Sequence, residues 1–273
     1  MPELAEVEVI KLSLSPIVNS TIIDAIVNNP NLRYKVEPSL AQKLVGNTII
    51  AIERRSKYLT LHLTNNLSLI VHLGMTGQFK IENEDYAFRK HDHIVIKLNG
   101  SNMLVYNDSR RFGCIFLSNT NELISHKLIK NLGPEPLTED FNKEYLYDTL
   151  KKRNTNIKAV IMNSDIVVGV GNIYANEALF NAKISPLRPA LLLSEIEIEN
   201  LVNAIKMILH KAIKLGGSSI KDFISSIGHK GNFQDQFLVY GKTNQACAYN
   251  CGGLIIRIRQ NNRSSFYCGK CQS

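Results

Sequence analysis

The 273-residue chain has no run of apolar residues approaching the roughly 20 that a membrane-spanning helix needs. Its first ten residues, MPELAEVEVI, lack both the basic start and the long apolar stretch of a secretory signal. Those two absences lead us to expect a cytoplasmic protein, in a compartment where thiols stay reduced. No internal repeat is visible. Cysteines number five, and four of them lie at or beyond residue 247, a clustering that favours metal over disulfides. Residues 237–273 contain no Asp or Glu, although Lys242, Arg257, Arg259, Arg263 and Lys270 lie there. GVGN at 169–172 is not a dinucleotide fingerprint, because no strand and no GxGxxG surround it.

The bulk composition is that of a globular protein, with 44% hydrophobic and 21% charged residues. A formal charge of +8 suggests a polyanionic partner, nucleic acid or an anionic membrane surface. Leu4, Val7, Ile10 and Leu14 are spaced for a first helix that Pro16 ends. Between 20 and 118, short alternating stretches follow: TIIAIE, YLTLHL, LSLIVHL, HIVIKL, MLVYN and CIFL. Turn residues such as Asn65-Asn66 and Asn99-Gly100 separate them, so the region reads as an antiparallel sandwich or barrel. LGPEPLTEDF (132–141) reads as a linker. Helices are expected at 142–152, 155–163, 172–181 and 194–215, the last opened by a Ser194/Glu197 capping box and closed by Gly216-Gly217. Residues 216–235, rich in Gly, Ser and Lys, read as a mobile loop.

Several groups of residues have chemical potential. Cys247-x3-Cys251-x16-Cys268-x2-Cys271 offers four thiolates in two close pairs, which suits one tetrahedral, structural Zn²⁺. A tail of this length is too small to build a core of its own, so metal would supply its stability. Cys114 reads as buried packing. Removal of Met1 would leave Pro2 with a free secondary amine at a helix start, where the dipole disfavours ammonium. Glu3 and Glu6 share a helix face beside it and offer acid–base groups. Read only as residues, Pro and Glu are also ordinary first-turn choices, and Lys57 within ERRSKYLTLHL also fits solvated surface charge. Met75, Arg110 and Phe112 are an apolar wedge, a cation and a ring, a set able to replace an extruded base. The glycines before Asn172 leave backbone N–H groups able to bind phosphate.

In order along nearly the whole chain, PELAEVE, RRSKYLTLHL, HLGMTG, KHDH, SRRFG, LGPEPL, GVGNIYANEALF, KAIKLGGSSI, VYGK and the cysteine cluster resemble the formamidopyrimidine-DNA glycosylase family. The resemblance implies an α+β multidomain fold. It would comprise an N-terminal helix and β-sandwich (1–131), a helix–two-turn–helix domain (132–236) and a zinc finger (237–273). It implies a monomeric base-excision repair enzyme that removes oxidised purines from damaged double-stranded DNA and cleaves the abasic site. Pro2 would attack C1′ of the damaged nucleotide, Glu3 would donate a proton, and Glu6 would support them. Lys57 would act in β-elimination and Arg263 in δ-elimination. Met75, Arg110 and Phe112 would fill the gap. His72, His91, Lys152, Arg153, Lys158 and Asn172 would contact DNA, and the 216–235 loop would close over the flipped base. Ala5, Ser109 and Asn262 depart from the family pattern, where proline, proline and glycine are usual, and the first cysteine pair has x3 rather than x2. Rival readings are an endonuclease VIII-type paralogue acting on oxidised pyrimidines, a non-catalytic zinc-finger DNA-binding protein, and an RNA-binding zinc-ribbon protein.

Overall fold

The computed structural model describes residues 2–219, 225–226 and 228–273. The chain divides into two compact units, residues 1–130 with 215–232, and residues 131–214 with 233–273. The segment 215–232 therefore groups with the first unit, and the cysteine-bearing tail with the helices.

The first unit opens with helix α1 (Leu4–Ser13), followed by a short turn of helix at Ser15–Ile17 that carries Pro16. Helix α2 (Leu40–Leu44) is the other helix of this region. Eight strands follow α1: β1 (Ile22–Val27), β2 (Ile49–Arg55), β3 (Tyr58–Leu63), β4 (Leu67–His72), β5 (Gly77–Asn83), β6 (Asp92–Leu98), β7 (Asn102–Asp108) and β8 (Cys114–Asn119). They form two antiparallel sheets, in the orders β1-β6-β7-β5 and β2-β3-β4-β8. Alternating side chains explain the sandwich. Leu59 and Leu61 of β3, Val71 of β4, Ile94 and Ile96 of β6 and Tyr106 of β7 join one buried cluster with Val7 and Ile10 of α1. Strands β1 and β5 lie outside the stretches expected from the sequence. Both are edges of their sheet, where one face meets water and charges such as Asp24 and Lys80 interrupt the apolar alternation. Asn65 and Asn66 take φ of 58° and 57°, a left-handed turn that their short polar side chains tolerate.

The second unit holds helices α3 (Lys143–Leu150), α4 (Ile157–Ile161), α5 (Asn172–Asn181) and α6 (Glu195–Lys214). Asn142 and Asn156 cap α3 and α4, accepting from the N–H of Tyr145 at 2.8 Å and Ala159 at 2.9 Å. The expected box opens α6: Glu197 accepts from Ser194 N–H at 2.8 Å, and Ser194 Oγ accepts from Glu197 N–H at 3.4 Å. Ile198, Leu201, Ile205, Ile208 and Ala212 form the buried stripe of α6. The tail adds a hairpin, β9 (Ile255–Gln260) and β10 (Arg263–Cys268). Among the described residues, no helix is long and apolar enough to cross a membrane.

Candidate active site

Pro2 is buried immediately before α1, and Glu3 is the residue that caps it, in extended conformation. Glu3 and Glu6 are both almost fully buried. Glu6 Oε2 accepts from Glu3 N–H at 2.8 Å, one arm of a reciprocal capping box. Its Oε1 accepts from the N–H of Ser218 at 2.8 Å and from its Oγ at 3.0 Å. Burial of a carboxylate is tolerated when its lone pairs are satisfied this fully. Glu6 therefore locks the helix start to residue 218, while the Glu3 side chain sits one residue from the Pro2 nitrogen.

Ser218 is delivered by a close backbone approach. Gly216 and Gly217 take φ of 76° and 78°, and a Cβ on Gly231 would lie 2.2 Å from the Gly217 carbonyl oxygen. Only glycine fits there. Asn232 N–H donates to Leu215 O at 3.0 Å and Gly231 N–H to Ser219 Oγ at 2.9 Å, closing the base of the loop. The centre of the 216–235 loop, residues 220–224 and 227, lies outside the described residues.

Lys57 occupies the two-residue turn between β2 and β3, beside Ser56, whose φ is 59°. Arg54 braces that turn, donating from Nη1 to Ser56 O at 3.0 Å and from Nε to Glu8 Oε2 at 2.6 Å. Burial favours the neutral form of Glu8, but hydrogen bonds from Lys11 and Arg54 outweigh it and hold the carboxyl below its usual range.

Met75 and Phe112 are exposed, at 42% and 45%, which is unusual for residues of that size on turns and fits a wedge. The Arg110 guanidinium lies 4.6 Å from the centre of the Phe112 ring. Their scaffold is Asp108, fully buried. Its carboxylate accepts from Thr76 Oγ1 at 2.5 Å, Gly113 N–H at 2.8 Å and Tyr106 OH at 3.2 Å. Thr76 Oγ1 in turn accepts from Arg110 N–H at 3.1 Å. The Met75 and Phe112 turns are pressed together, since a Cβ on Gly74 would lie 2.4 Å from the Phe112 carbonyl carbon. His91 is half-buried just before β6, and its carbonyl accepts from Asp108 N–H at 3.1 Å.

In the second unit, Lys158 is buried. Its Nζ donates to Asn172 Oδ1 at 2.8 Å, Ser264 O at 3.0 Å and Ser265 Oγ at 2.7 Å. Asn172 Nδ2 donates to Ser264 O at 3.1 Å. Both residues thus clasp the hairpin, whose tip Asn261-Asn262 has φ of 47° and 60° and carries exposed Arg263. The left-handed conformation at Asn262 accounts for the glycine usual there. A cleft of about 200 Å³ opens between α4 and the hairpin tip, lined by Asn156, Lys158, Met162, Asn163, Gln260 and Arg263. Lys152 and Arg153 are exposed after α3 and do not line it.

The Sγ atoms of Cys247, Cys251, Cys268 and Cys271 all lie within 4.8 Å of one another. Cys247 and Cys271 are 3.6 Å apart, and Cys251 and Cys268 are 3.5 Å apart. Zn–S bonds of about 2.3 Å give a tetrahedron with edges of about 3.8 Å, so this donor set fits zinc. Gly253 makes room for it, because a Cβ there would come within 2.7 Å of Cys268 Sγ and 3.3 Å of Cys251 Sγ. The extra residue of the x3 loop is accommodated by Asn250 at φ 51°, and Tyr249 stacks on Phe180 of α5 with ring centres 4.9 Å apart and planes 9° apart. Glu177 of α5 also holds the tail. Its Oε2 accepts from Leu238 N–H at 2.9 Å, and its Oε1 from Val239 at 3.0 Å and Tyr240 at 2.8 Å.

Residues 1–115 match the formamidopyrimidine-DNA glycosylase N-terminal domain and 132–224 its H2TH domain. Residues 250–273 match the zinc finger found in FPG and IleRS. The formamidopyrimidine-DNA glycosylase of Rickettsia felis is 43% identical over 100% of this chain and 98% of its own. That of Marinobacter nauticus is 45% identical over the full length of both. The chain belongs to the formamidopyrimidine-DNA glycosylase family. It is an enzyme of this bifunctional glycosylase/lyase family, with one structural zinc in its finger. Among solved structures, a Lactococcus lactis FPG mutant in complex with Fapy-dG-containing DNA is similar with a TM-score of 0.93. It is 38% identical and covers 100% of both chains. A complex of Lactococcus lactis Fpg with abasic-site DNA reaches 0.92 at 38% identity, covering 99% of both.

For this glycosylase, the reading from sequence passes over Asp108, Thr76, Ser218, Arg54 and Glu177. Each acts through a hydrogen bond to a residue distant in the chain, and nothing in local spacing marks them.

The site also shifts the titration of His72. Its Nδ1 accepts from Gly74 N–H at 3.0 Å, which requires a neutral ring. Burial, then the charges of Lys57 and Arg33, pull its pKa down to about 4. The unfolded ring takes a proton near 6.5 and the folded ring does not, so stability falls as pH drops from 6.5 toward 4. By pH 5 the cost is ~2 kcal/mol. Denaturant unfolding at pH 7 and pH 5 should show that loss in the parent and a smaller one in His72→Gln; equal losses would remove His72 as the cause.

Proposed function

We propose that the enzyme removes oxidised purines from damaged double-stranded DNA and then cleaves the strand at the abasic site, acting as a monomer through a Pro2 Schiff base. The observation that carries this reading is the buried arrangement of Pro2, Glu3 and Glu6, clamped by Ser218. Once Met1 is removed, a secondary amine, the Glu3 carboxyl and a hydrogen-bonded carboxylate are packed at the positive end of a helix. The Pro2 nitrogen uses its lone pair to bond C1′ as the bond from C1′ to the base breaks, and the departing base takes a proton. Glu3 supplies the proton that opens the sugar, leaving an iminium between Pro2 and C1′. Loss of a C2′ proton then expels the 3′ phosphate, with Lys57 as acid, and Arg263 serves the second elimination. Glu6 positions rather than transfers, since both of its oxygens are engaged.

Met75, Arg110 and Phe112 would fill the gap left by the extruded base. His72, His91, Lys152, Arg153, Lys158 and Asn172 would hold the strand, with Lys158 and Asn172 also setting the hairpin that bears Arg263. The chain is read as three segments of function: 1–131 for chemistry, 132–236 for duplex binding and 237–273 for the zinc finger. The similarity to Lactococcus lactis complexes with Fapy-dG and abasic-site DNA supports this substrate class.

Glu3→Gln tests the chemistry directly. It keeps shape but removes the proton, so 8-oxoguanine excision should fall by about 100- to 10,000-fold. Affinity for the damaged duplex should stay within a few-fold of the parent. Unchanged excision, or faster release of an oxidised pyrimidine than of 8-oxoguanine by the parent, would overturn the reading.

A further inference from the structure

We infer that Arg33 and Lys127, held by the rings of Tyr34 and Phe116, form an accessory phosphate-binding patch on the sandwich that engages the DNA backbone beyond the wedge. The inference rests on the proposed DNA-repair reading and extends its interface to residues that reading leaves unused. The Arg33 guanidinium lies 5.6 Å from the centre of the Tyr34 ring. Lys127 Nζ lies 5.6 Å from the same ring and 5.5 Å from that of Phe116. The two rings are themselves 5.5 Å apart, and His126 joins them with its ring 5.9 Å from Phe116. Arg33, Tyr34 and Lys127 are exposed.

Three observations point to a polyanion. First, these cations are not paired with carboxylates: residues 28–36 and 123–131 contain Arg33, Lys35, Lys127 and Lys130 but no Asp or Glu, and the adjoining Glu37 is paired with Lys43. Among the described residues, no ion pair involves Arg33 or Lys127, whereas Lys97 and Lys43 are each paired with a carboxylate at 3.0 Å. Second, the rings restrain two long side chains that would otherwise be mobile, which lowers the entropy lost when a phosphate binds. Third, the patch is continuous with the wedge. Arg33 N–H donates to Gly113 O at 3.1 Å, directly after Phe112, and Phe116 lies in β8, which starts at Cys114. The Arg33 charge also reaches His72, where it acts in the same direction as Lys57.

Such a patch reads no sequence and no lesion. It would add affinity for any duplex and retain the enzyme while it searches.

Affinity for undamaged duplex should be measured against salt for the parent, Arg33→Ala, Lys127→Ala, the double variant and Lys97→Ala. Each of the first two should weaken binding several-fold and lower the salt slope by about one phosphate contact. The double variant should lower it by about two. Lys97→Ala should match the parent. Tyr34→Leu, which keeps bulk but not the ring face, should weaken binding at low salt with the fold retained by circular dichroism. Single-turnover excision at saturating enzyme should be unchanged in all of them. A double variant with the parent's slope overturns the proposal, as does one that loses binding to single-stranded RNA while keeping its affinity for duplex. A parent that binds duplex with this slope but excises nothing would instead overturn the catalytic reading and leave the patch standing.

Discussion

Borohydride reduction of the enzyme on an 8-oxoguanine duplex is expected to leave protein covalently joined to DNA, and only when Pro2 is the first residue. A secondary amine condenses with an aldehydic carbon to give an iminium without losing a further proton from nitrogen, and hydride reduces that iminium to a stable amine. The surroundings favour the reactive form. Pro2 is buried at the start of α1, where the helix dipole and the lack of water both disfavour an ammonium ion. Acylating the nitrogen with even one residue removes its lone pair from use. Chains that retain Met1, or carry an N-terminal tag, should therefore trap at background level and lose strand cleavage. They should still bind damaged duplex, because the wedge and the basic surfaces are untouched. Pro2→Gly with Met1 removed restores a primary amine and should trap weakly. Full activity without any trapped complex would exclude Pro2 as nucleophile.

Native protein is expected to carry one equivalent of zinc, and Cys247→Ser and Cys251→Ser should each lose most of it. In small zinc domains, metal binding contributes on the order of 10 kcal/mol of folding free energy, so losing one thiolate is felt by the whole hairpin. Cys247 is the informative position, since the matched finger begins at residue 250 and leaves it out. The geometry includes it: Cys247 is buried, its N–H donates to Gly253 O at 2.9 Å, and its sulfur completes the cluster. Loss of zinc should disorder the hairpin that presents Arg263, so duplex affinity should fall with metal content. Tyr249→Ala should keep one equivalent but release it faster to a chelator, because the stack on Phe180 fastens the widened loop to α5. A Cys247→Ser protein with full zinc and full binding would show that Cys247 is not a ligand.

Much of this is legible in the sequence because it depends on local order. The period of α6, its Ser194/Glu197 box, the bounds of α5 and six of the strands follow from spacing over a few residues. The cysteine spacing alone implies the metal, and Pro2 and Lys57 sit within ordered motifs. The x3 spacing does not reveal that the Tyr249 ring packs on Phe180 of helix α5.

What the sequence by itself determined about this protein is the set of candidate reacting groups, the cysteine cluster that fits zinc and the helix and strand periods, all of which need only neighbours along the chain. The tertiary structure alone decided how those groups are held. Asp108 ties Thr76 to Gly113, Ser218 reaches Glu6 across 212 positions, and Glu177 gathers the N–H groups of 238–240. It also showed Lys158, expected from the family resemblance to contact DNA, as a buried clasp on Ser264 and Ser265. The physical reason is common to all four. A buried polar group must find its partner wherever the fold brings one, and that partner leaves no trace in the spacing of the residues around it.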